Sequence, residues 1–302
     1  MCGIVGLFFK NPELEPQLGQ YFSMMLDCMS SRGPDSAGFA VYGEEAAPGC
    51  LKYTLQHADP DFNWAALASA ASHRFGEAPE LKVNASHARL VLPAAEADFL
   101  AWLREKYPDV VVMSVGQRME IMKEVGTPAA VLSRFNVRYM SGSHAIGHTR
   151  MATESAVTTA GSHPFSTGHD LCLVHNGSLS NHNRLRLNLQ RAGLEFRTDN
   201  DSEVAAAYLT WRMQQQGESL QQALESALRD LDGFYTFTIG TRDGFAVLRD
   251  PIACKPAVMA ETDDYVAMSS EYRSLTGLPG IEHARLWEPE PATVYSWTMS
   301  RN

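Results

Sequence analysis

Met1-Cys2-Gly3-Ile4-Val5-Gly6 opens the chain, and its second residue governs how the rest is read. Once an aminopeptidase removes Met1, which the small side chain of the next residue favours, cysteine becomes the first residue. It then carries both a thiol nucleophile and a free α-amine. That amine has an ordinary pKa of ~7.7–8.0, so part of it is neutral near pH 7 and can take the thiol proton. A nucleophile served by its own N-terminal amine is one solution to nucleophile activation. A plainer reading stands beside it. Residues 2–9 are short and apolar, and Cys2 could simply begin a buried strand. Gly3 and Gly6 flank that pattern and permit close backbone approach to a ligand.

The bulk properties narrow the setting. The chain has 302 residues, 45% hydrophobic and 20% charged, enough for one large domain or two smaller ones. Its formal charge is −10 and no basic stretch offsets it, which speaks against nucleic acid or an anionic membrane as the main partner. No apolar run approaches the ~20 residues of a membrane span. The N-terminus lacks the basic and apolar regions of a secretion signal, so a cytoplasmic location is expected. The five cysteines, Cys2, Cys28, Cys50, Cys172 and Cys254, are scattered and form no C-x-x-C pair. Reduced thiols fit them better than disulfides or a zinc site, and no metal is expected.

Hydrophobic periodicity gives the organisation. Leu18, Phe22, Met25, Leu26 and Met29 recur at helical spacing, which predicts a helix over 16–30. Residues 38–42, 143–149 and 171–174 read as strands, and helices are expected over 181–192, 201–216 and 220–231. Short strands dominate the last third. Strands at both ends with helices clustered between them predict sheets packed on a helical layer. The stretch 44–139 differs. It reads as helix 62–72, strand 82–92, helix 94–107, strand 110–115, and helix or loop over 117–125. This is either an inserted α/β subdomain or a set of ordinary connections.

Four further motifs carry candidate chemistry. Gly147-His148-Thr149-Arg150 ends a strand on a guanidinium that can clamp a carboxylate, or serve a surface salt bridge. Asn176-Gly177 after a strand offers two donors for an oxyanion, but Asn-Gly is also a strong turn signal. Asp201, ahead of an apolar helix, is an N-cap candidate or a partner for an ammonium group. Arg32-Gly33-Pro34-Asp35-Ser36-Ala37-Gly38 and Ser162-His163-Pro164-Phe165 read locally as a turn and a loop.

Their order is more telling than any one of them. Cys2-Gly3-Ile4-Val5-Gly6, Arg32–Gly38, Gly147–Arg150, His175-Asn176-Gly177 and Asp201-Ser202-Glu203 together resemble the class II glutamine amidotransferase domain, an N-terminal nucleophile hydrolase. Arg249-Asp250-Pro251, Lys255-Pro256 and Ser269-Ser270-Glu271-Tyr272 look like the end of that domain. The resemblance covers about 2–43 and 143–276. It implies an α+β fold, a four-layer α/β/β/α sandwich of two antiparallel sheets with an inserted α/β segment at 44–139, forming a single domain over 2–302. It implies Cys2 as nucleophile, Asn176 and Gly177 as oxyanion hole, Arg150 on the α-carboxylate of L-glutamine and Asp201 on its α-ammonium. Thr153 and His163 fall where relatives line the pocket. Two departures stand out: Met151 replaces a common aromatic, and 44–139 is longer than the usual connection.

The glutaminase half-reaction needs no cofactor on this chain. The pattern finishes shortly before Asn302, so the ammonia acceptor is expected on another polypeptide. A chain of this kind resembles the amidotransferase subunit of glutamate-synthase-like complexes such as N-methylglutamate synthase, whose synthase subunits carry FMN and iron–sulfur clusters. Two other classes remain open: a non-catalytic regulatory or scaffolding subunit, which a retained Met1 would favour, and a free-standing amide hydrolase of the same superfamily. The paired Arg150 and Asp201 speak against the second, because they match both ends of an amino acid.

Overall fold

The seven residues of β1 (Gly3–Phe9) are all buried, and their alternation serves two different cores. Val5 and Leu7 face a helical layer, whereas Ile4 and Phe8 face a second sheet. Such a strand must lie inside a sheet covered on both sides. The computed structural model describes residues 2–93, 95–152 and 157–299. After β1 come α1 (Leu18–Cys28) and β2 (Ser36–Tyr42). Then follow β3 (Leu51–Gln56), α2 (Trp64–Phe75), β4 (Glu80–Asn84), β5 (His87–Leu92), α3 (Glu96–Lys106) and β6 (Val111–Gly116). Next are β7 (Met119–Val125), α4 (Pro128–Arg134), β8 (His144–Arg150), β9 (Phe165–Gly168) and β10 (Leu171–Leu179). The chain continues through α5 (His182–Arg191), α6 (Asp201–Gln214), α7 (Leu220–Asp230), β11 (Gly233–Thr241) and β12 (Gly244–Arg249). It finishes with β13 (Val258–Glu261), β14 (Tyr265–Ser269), β15 (Arg285–Trp287) and β16 (Thr293–Thr298).

Sixteen strands make three sheets among the described residues. The first has the order β15-β13-β14-β1-β8-β2-β7 and the second β16-β12-β11-β10-β9. Leu18, Phe22, Met25 and Leu26 of α1, with Val131 and Leu132 of α4, cover the outer face of the first sheet. Helices α5 to α7 cover the outer face of the second. Between the sheets pack Ile4, Phe8, Ile146, Val174, Phe245 and Met268. This is the four-layer α/β/β/α sandwich that the resemblance implies. Its sheets approach closely at Gly6, where an added Cβ would come within 2.5 Å of the Phe245 ring.

The third sheet, β4-β5-β3-β6, is separate. Strands β3 and β4 are joined through α2 with β5 between them, and β5 and β6 through α3 with β3 between them. This is a β-α-β-β-α-β unit of the split type. Its helices cover one face, burying Tyr53, Leu55, Leu90, Phe99 and Leu103. The other face is polar and turns toward the core. There Lys52 reaches Glu120 at 3.2 Å and the Glu44 carbonyl at 2.7 Å.

The stretch 44–139 thus divides. Only 51–116 forms the separate unit. Residues 117–125, expected as helix or loop, supply β7, which pairs with β2 from Ser36↔Val125 to Tyr42↔Met119. The alternation Met119-Glu120-Ile121 is half-buried against the insertion on one face and the core on the other, which blurs its period. Residues 82–92, expected as one strand, are a hairpin that turns at Ala85 with φ 54°. No Gly or Pro marks that turn. The Asp170 carboxylate takes the N–H groups of Gln117, Arg118 and Met119 at 2.7, 2.8 and 2.9 Å, tying the exit of the insertion to the β9–β10 turn.

Candidate active site

Cys2 lies at the mouth of the sandwich, immediately before β1, and is partly exposed. Both sheets hold it. Its carbonyl accepts from Arg32 Nε at 3.1 Å and from Asn176 Nδ2 at 3.3 Å. Arg32 in turn pairs with Glu271 at 2.8 Å, and Ser270 Oγ accepts the Ile4 N–H at 3.0 Å. The Arg32 and Ser269-Ser270-Glu271 motifs, 239 residues apart, therefore meet around the nucleophile candidate.

Asn176 and Gly177 are not a turn. Strand β10 continues through them to Leu179, pairing Asn176 with Thr236 and Gly177 with Tyr235 of β11. Gly177 has φ 149°, and an added Cβ would run into the Phe234 carbonyl and come within 2.7 Å of Tyr235 Cα. Only glycine fits that combination of dihedral and approach. Arg150 is the last residue of β8, the neighbour of β1, and is 9% exposed. This burial removes the reading of a surface arginine. One of its contacts runs from Nη1 to the Gly161 carbonyl at 3.3 Å.

Asp201 is the first helical residue of α6 rather than its cap. Asn200 is the cap, accepting the Ser202 N–H at 2.8 Å. Asp201 Oδ2 accepts the Leu179 N–H at 2.8 Å. Its position in the first helical turn suits a carboxylate electrostatically. His163, which precedes a cis proline, contacts Ser202 Oγ through Nε2 at 2.8 Å. His175 Nδ1 reaches the same hydroxyl at 2.9 Å, and His148 stacks on His163 with ring centroids 4.0 Å apart.

Cys2, Arg150, His163, Asn176, Gly177 and Asp201 line one cleft of about 280 Å³. Thr153 lies outside the described residues. The cleft also takes in His148, His175, Ser202 and Lys255, none of which was singled out from sequence as a site residue. His148 and His175 stand inside quoted motifs, and strand alternation around them was the available signal. Burial pushes His148 down to about 3, with His175 and Arg150 adding to the shift. Burial likewise lowers His163, and lowers His175 against the opposing pull of Asp201. The ring system behind the cleft is therefore neutral near pH 7. The cleft itself sets a thiol beside an amide donor, a guanidinium and a carboxylate. Among the described residues there is no cluster of three or more His, Cys, Asp or Glu able to hold a metal, and no helix long and apolar enough to cross a membrane.

Comparison with known proteins gives the family. Residues 148–277 match the family described as a glutamine amidotransferase domain. The chain is 60% identical over 298 residues to the glutamine amidotransferase-like protein GlxB of Rhizobium meliloti (strain 1021), covering 98% of both chains. It is 32% identical over 315 residues to a putative glutamine amidotransferase of Methanothermobacter thermautotrophicus, covering 98% of this chain and 99% of that one. In fold it resembles the glutamine phosphoribosylpyrophosphate amidotransferase from B. subtilis, with a TM-score of 0.61 at 19% identity. All of this chain is covered there, and it spans 50% of that one.

Proposed function

The chain belongs to the class II glutamine amidotransferases, and from that premise we propose that it hydrolyses L-glutamine through Cys2 and delivers the ammonia to a separate synthase. The observation that carries this reading is the single cleft shared by Cys2, Arg150, Asn176, Gly177 and Asp201. With Met1 removed, the α-amine takes the thiol proton and Sγ attacks the side-chain carboxamide carbon. The carbonyl oxygen becomes an oxyanion held by Asn176 Nδ2 and the Gly177 N–H. The α-amine returns its proton to the leaving nitrogen, ammonia departs, and a glutamyl thioester remains. Water then adds to the thioester, releasing glutamate and restoring the thiol. Arg150 pairs with the α-carboxylate and Asp201 with the α-ammonium, so a substrate charged at both ends is held in one orientation. His163 braces Asp201 through Ser202.

The reaction uses no metal or cofactor on this chain. The acceptor belongs to a glutamate-synthase-like partner, of which an N-methylglutamate synthase core with FMN and iron–sulfur clusters is the specific candidate. The insertion at 51–116 is the proposed docking unit, and the cytoplasm the proposed location. Intact mass of the native protein, followed by glutamate release from wild type and Cys2→Ala, tests the central step. Loss of one methionine and activity in wild type alone are expected. A retained Met1, or equal activity in both proteins, refutes it.

A further inference from the structure

We propose that Lys123 is a positioning residue for the glutamine site: its buried ammonium fixes the 158–164 loop that carries His163 and borders Arg150. This rests on reading the cleft as the glutamine site. Lys123 belongs to β7, on the edge of the first sheet, and is 5% exposed. Its Nζ donates to the carbonyls of Ala160 at 3.1 Å, Ser162 at 2.7 Å and Pro164 at 3.2 Å. An ammonium has three N–H groups, and all three are spent on this one loop. The Phe165 ring face lies 4.6 Å from Nζ and adds a further attraction.

The loop turns and bends over 159–163, with the Ser162 N–H donating to the Thr159 carbonyl at 3.2 Å. The carbonyls of 160, 162 and 164 point to Lys123. Between them, the Gly161 carbonyl accepts from Arg150 Nη1 and from Asn200 Nδ2, each at 3.3 Å. The His163 ring turns to Ser202, whose hydroxyl also lies 3.3 Å from Asp201 Oδ1. Three carbonyls of the loop thus converge on one cation, while the Thr159 and Ser162 hydroxyls add bonds to Glu124 at 2.6 Å and Ser36 at 2.9 Å. The same loop abuts the residues assigned to both charged ends of glutamine. Burial pushes Lys123 down to about 7, with Glu203 opposing and Arg197 adding to the shift, so the three-donor ammonium is the dominant form below that pH. A neutral side chain of equal length would fill the space at lower desolvation cost, but it would leave three buried carbonyls without a donor. Convergent donors are what lysine supplies here, and they set where Gly161 and His163 stand.

The test uses the full-length processed protein and Lys123→Met. Cys2 is labelled with iodoacetamide, which needs only the thiol, and with a diazoketone analogue of glutamine, which needs the recognition groups as well. KM and kcat for glutamine are measured alongside. The expected result is a rise in KM, and a fall in diazoketone labelling, of about 10-fold or more. The iodoacetamide rate and kcat should stay near wild type. An unchanged KM, or equal loss with both reagents, overturns the inference. Where Lys123→Met gives no folded protein, Lys123→Gln, which keeps two N–H donors, is read the same way. If glutamine does not protect wild-type Cys2 from the diazoketone, the glutamine reading itself fails and this inference falls with it.

Discussion

The core and the insertion are both antiparallel sheets covered by helices, yet they treat polar groups in opposite ways. In the core, both faces of each sheet are packed, and the candidate site residues gather at one end where β1, β8 and β10 bring their termini together. In the insertion, one face is apolar and the other carries Lys52 and Arg89, which both pair with Glu120 of β7. Charges in the core therefore aim into a cleft, whereas those of the insertion attach it to its host. Chemistry and attachment are consequently separable, and each can be perturbed alone.

The strongest perturbation of that contrast is a pair of ring deletions. Phe99 and Phe237 are both fully buried, one in each unit. Removing either as Phe→Ala should cost about 3–5 kcal/mol of stability. Phe237 supports the His175 ring at 5.0 Å, so its loss should also depress glutamine turnover. Phe99→Ala should loosen 51–116 first and leave kcat/KM unchanged. Hydrogen exchange resolved by segment, combined with glutamate release, checks both; parallel loss of turnover would mean the units are not separable. Next in size is Asn176→Ala, which should lower kcat by about 10²–10³-fold, or about 2.7–4 kcal/mol, while destabilising the core only by the ~0.5–1.5 kcal/mol of its bond to the Cys2 carbonyl.

The smallest effect is acid sensitivity. His144 and His148 are pushed to about 3 by burial in the core, and His163 and His175 are lowered there too, whereas the insertion has His87 at about 4. A group held below its unfolded pKa stabilises the fold above that value. This stability is lost as pH falls from about 6.5 toward the folded pKa, because the unfolded chain binds the proton first. The core, with more such histidines, should lose stability more steeply than the insertion between pH 6.5 and pH 4. Chemical denaturation followed by segment-resolved probes checks this, and equal slopes would contradict it.

The contrast also marks what was legible in the sequence. The core could be read because its chemistry lies in short contiguous motifs whose order is specific, and the structure brings Cys2, Arg150, His163, Asn176, Gly177 and Asp201 to one cleft. What failed was local. Asn176-Gly177 carries a turn signal, but pairing with β11 keeps it extended. Asp201 lost the cap to Asn200 by one residue. Lys123 was invisible because a lysine between Met122 and Glu124, in a stretch expected as helix or loop, reads as solvated. Its burial is imposed by a loop some forty residues later in the chain, which no local period encodes. The end of the insertion was misjudged for a similar reason, since β7 belongs to the core through pairing with β2.

The bond from Asn176 to the Cys2 carbonyl has a consequence for the resting enzyme. In its proposed role this amide must serve the oxyanion, yet without substrate it is already engaged by the nucleophile's own backbone. Catalysis would then be an exchange of acceptors: a neutral carbonyl surrenders the donor and a negatively charged oxygen takes it. The surrendered bond is worth about 0.5–1.5 kcal/mol, and a bond to a charged acceptor about 1.5–3 kcal/mol. The difference appears only as charge develops on the substrate oxygen. The idle state thus keeps the amide aimed and dry, a self-ligated holding position that opens only to the intermediate.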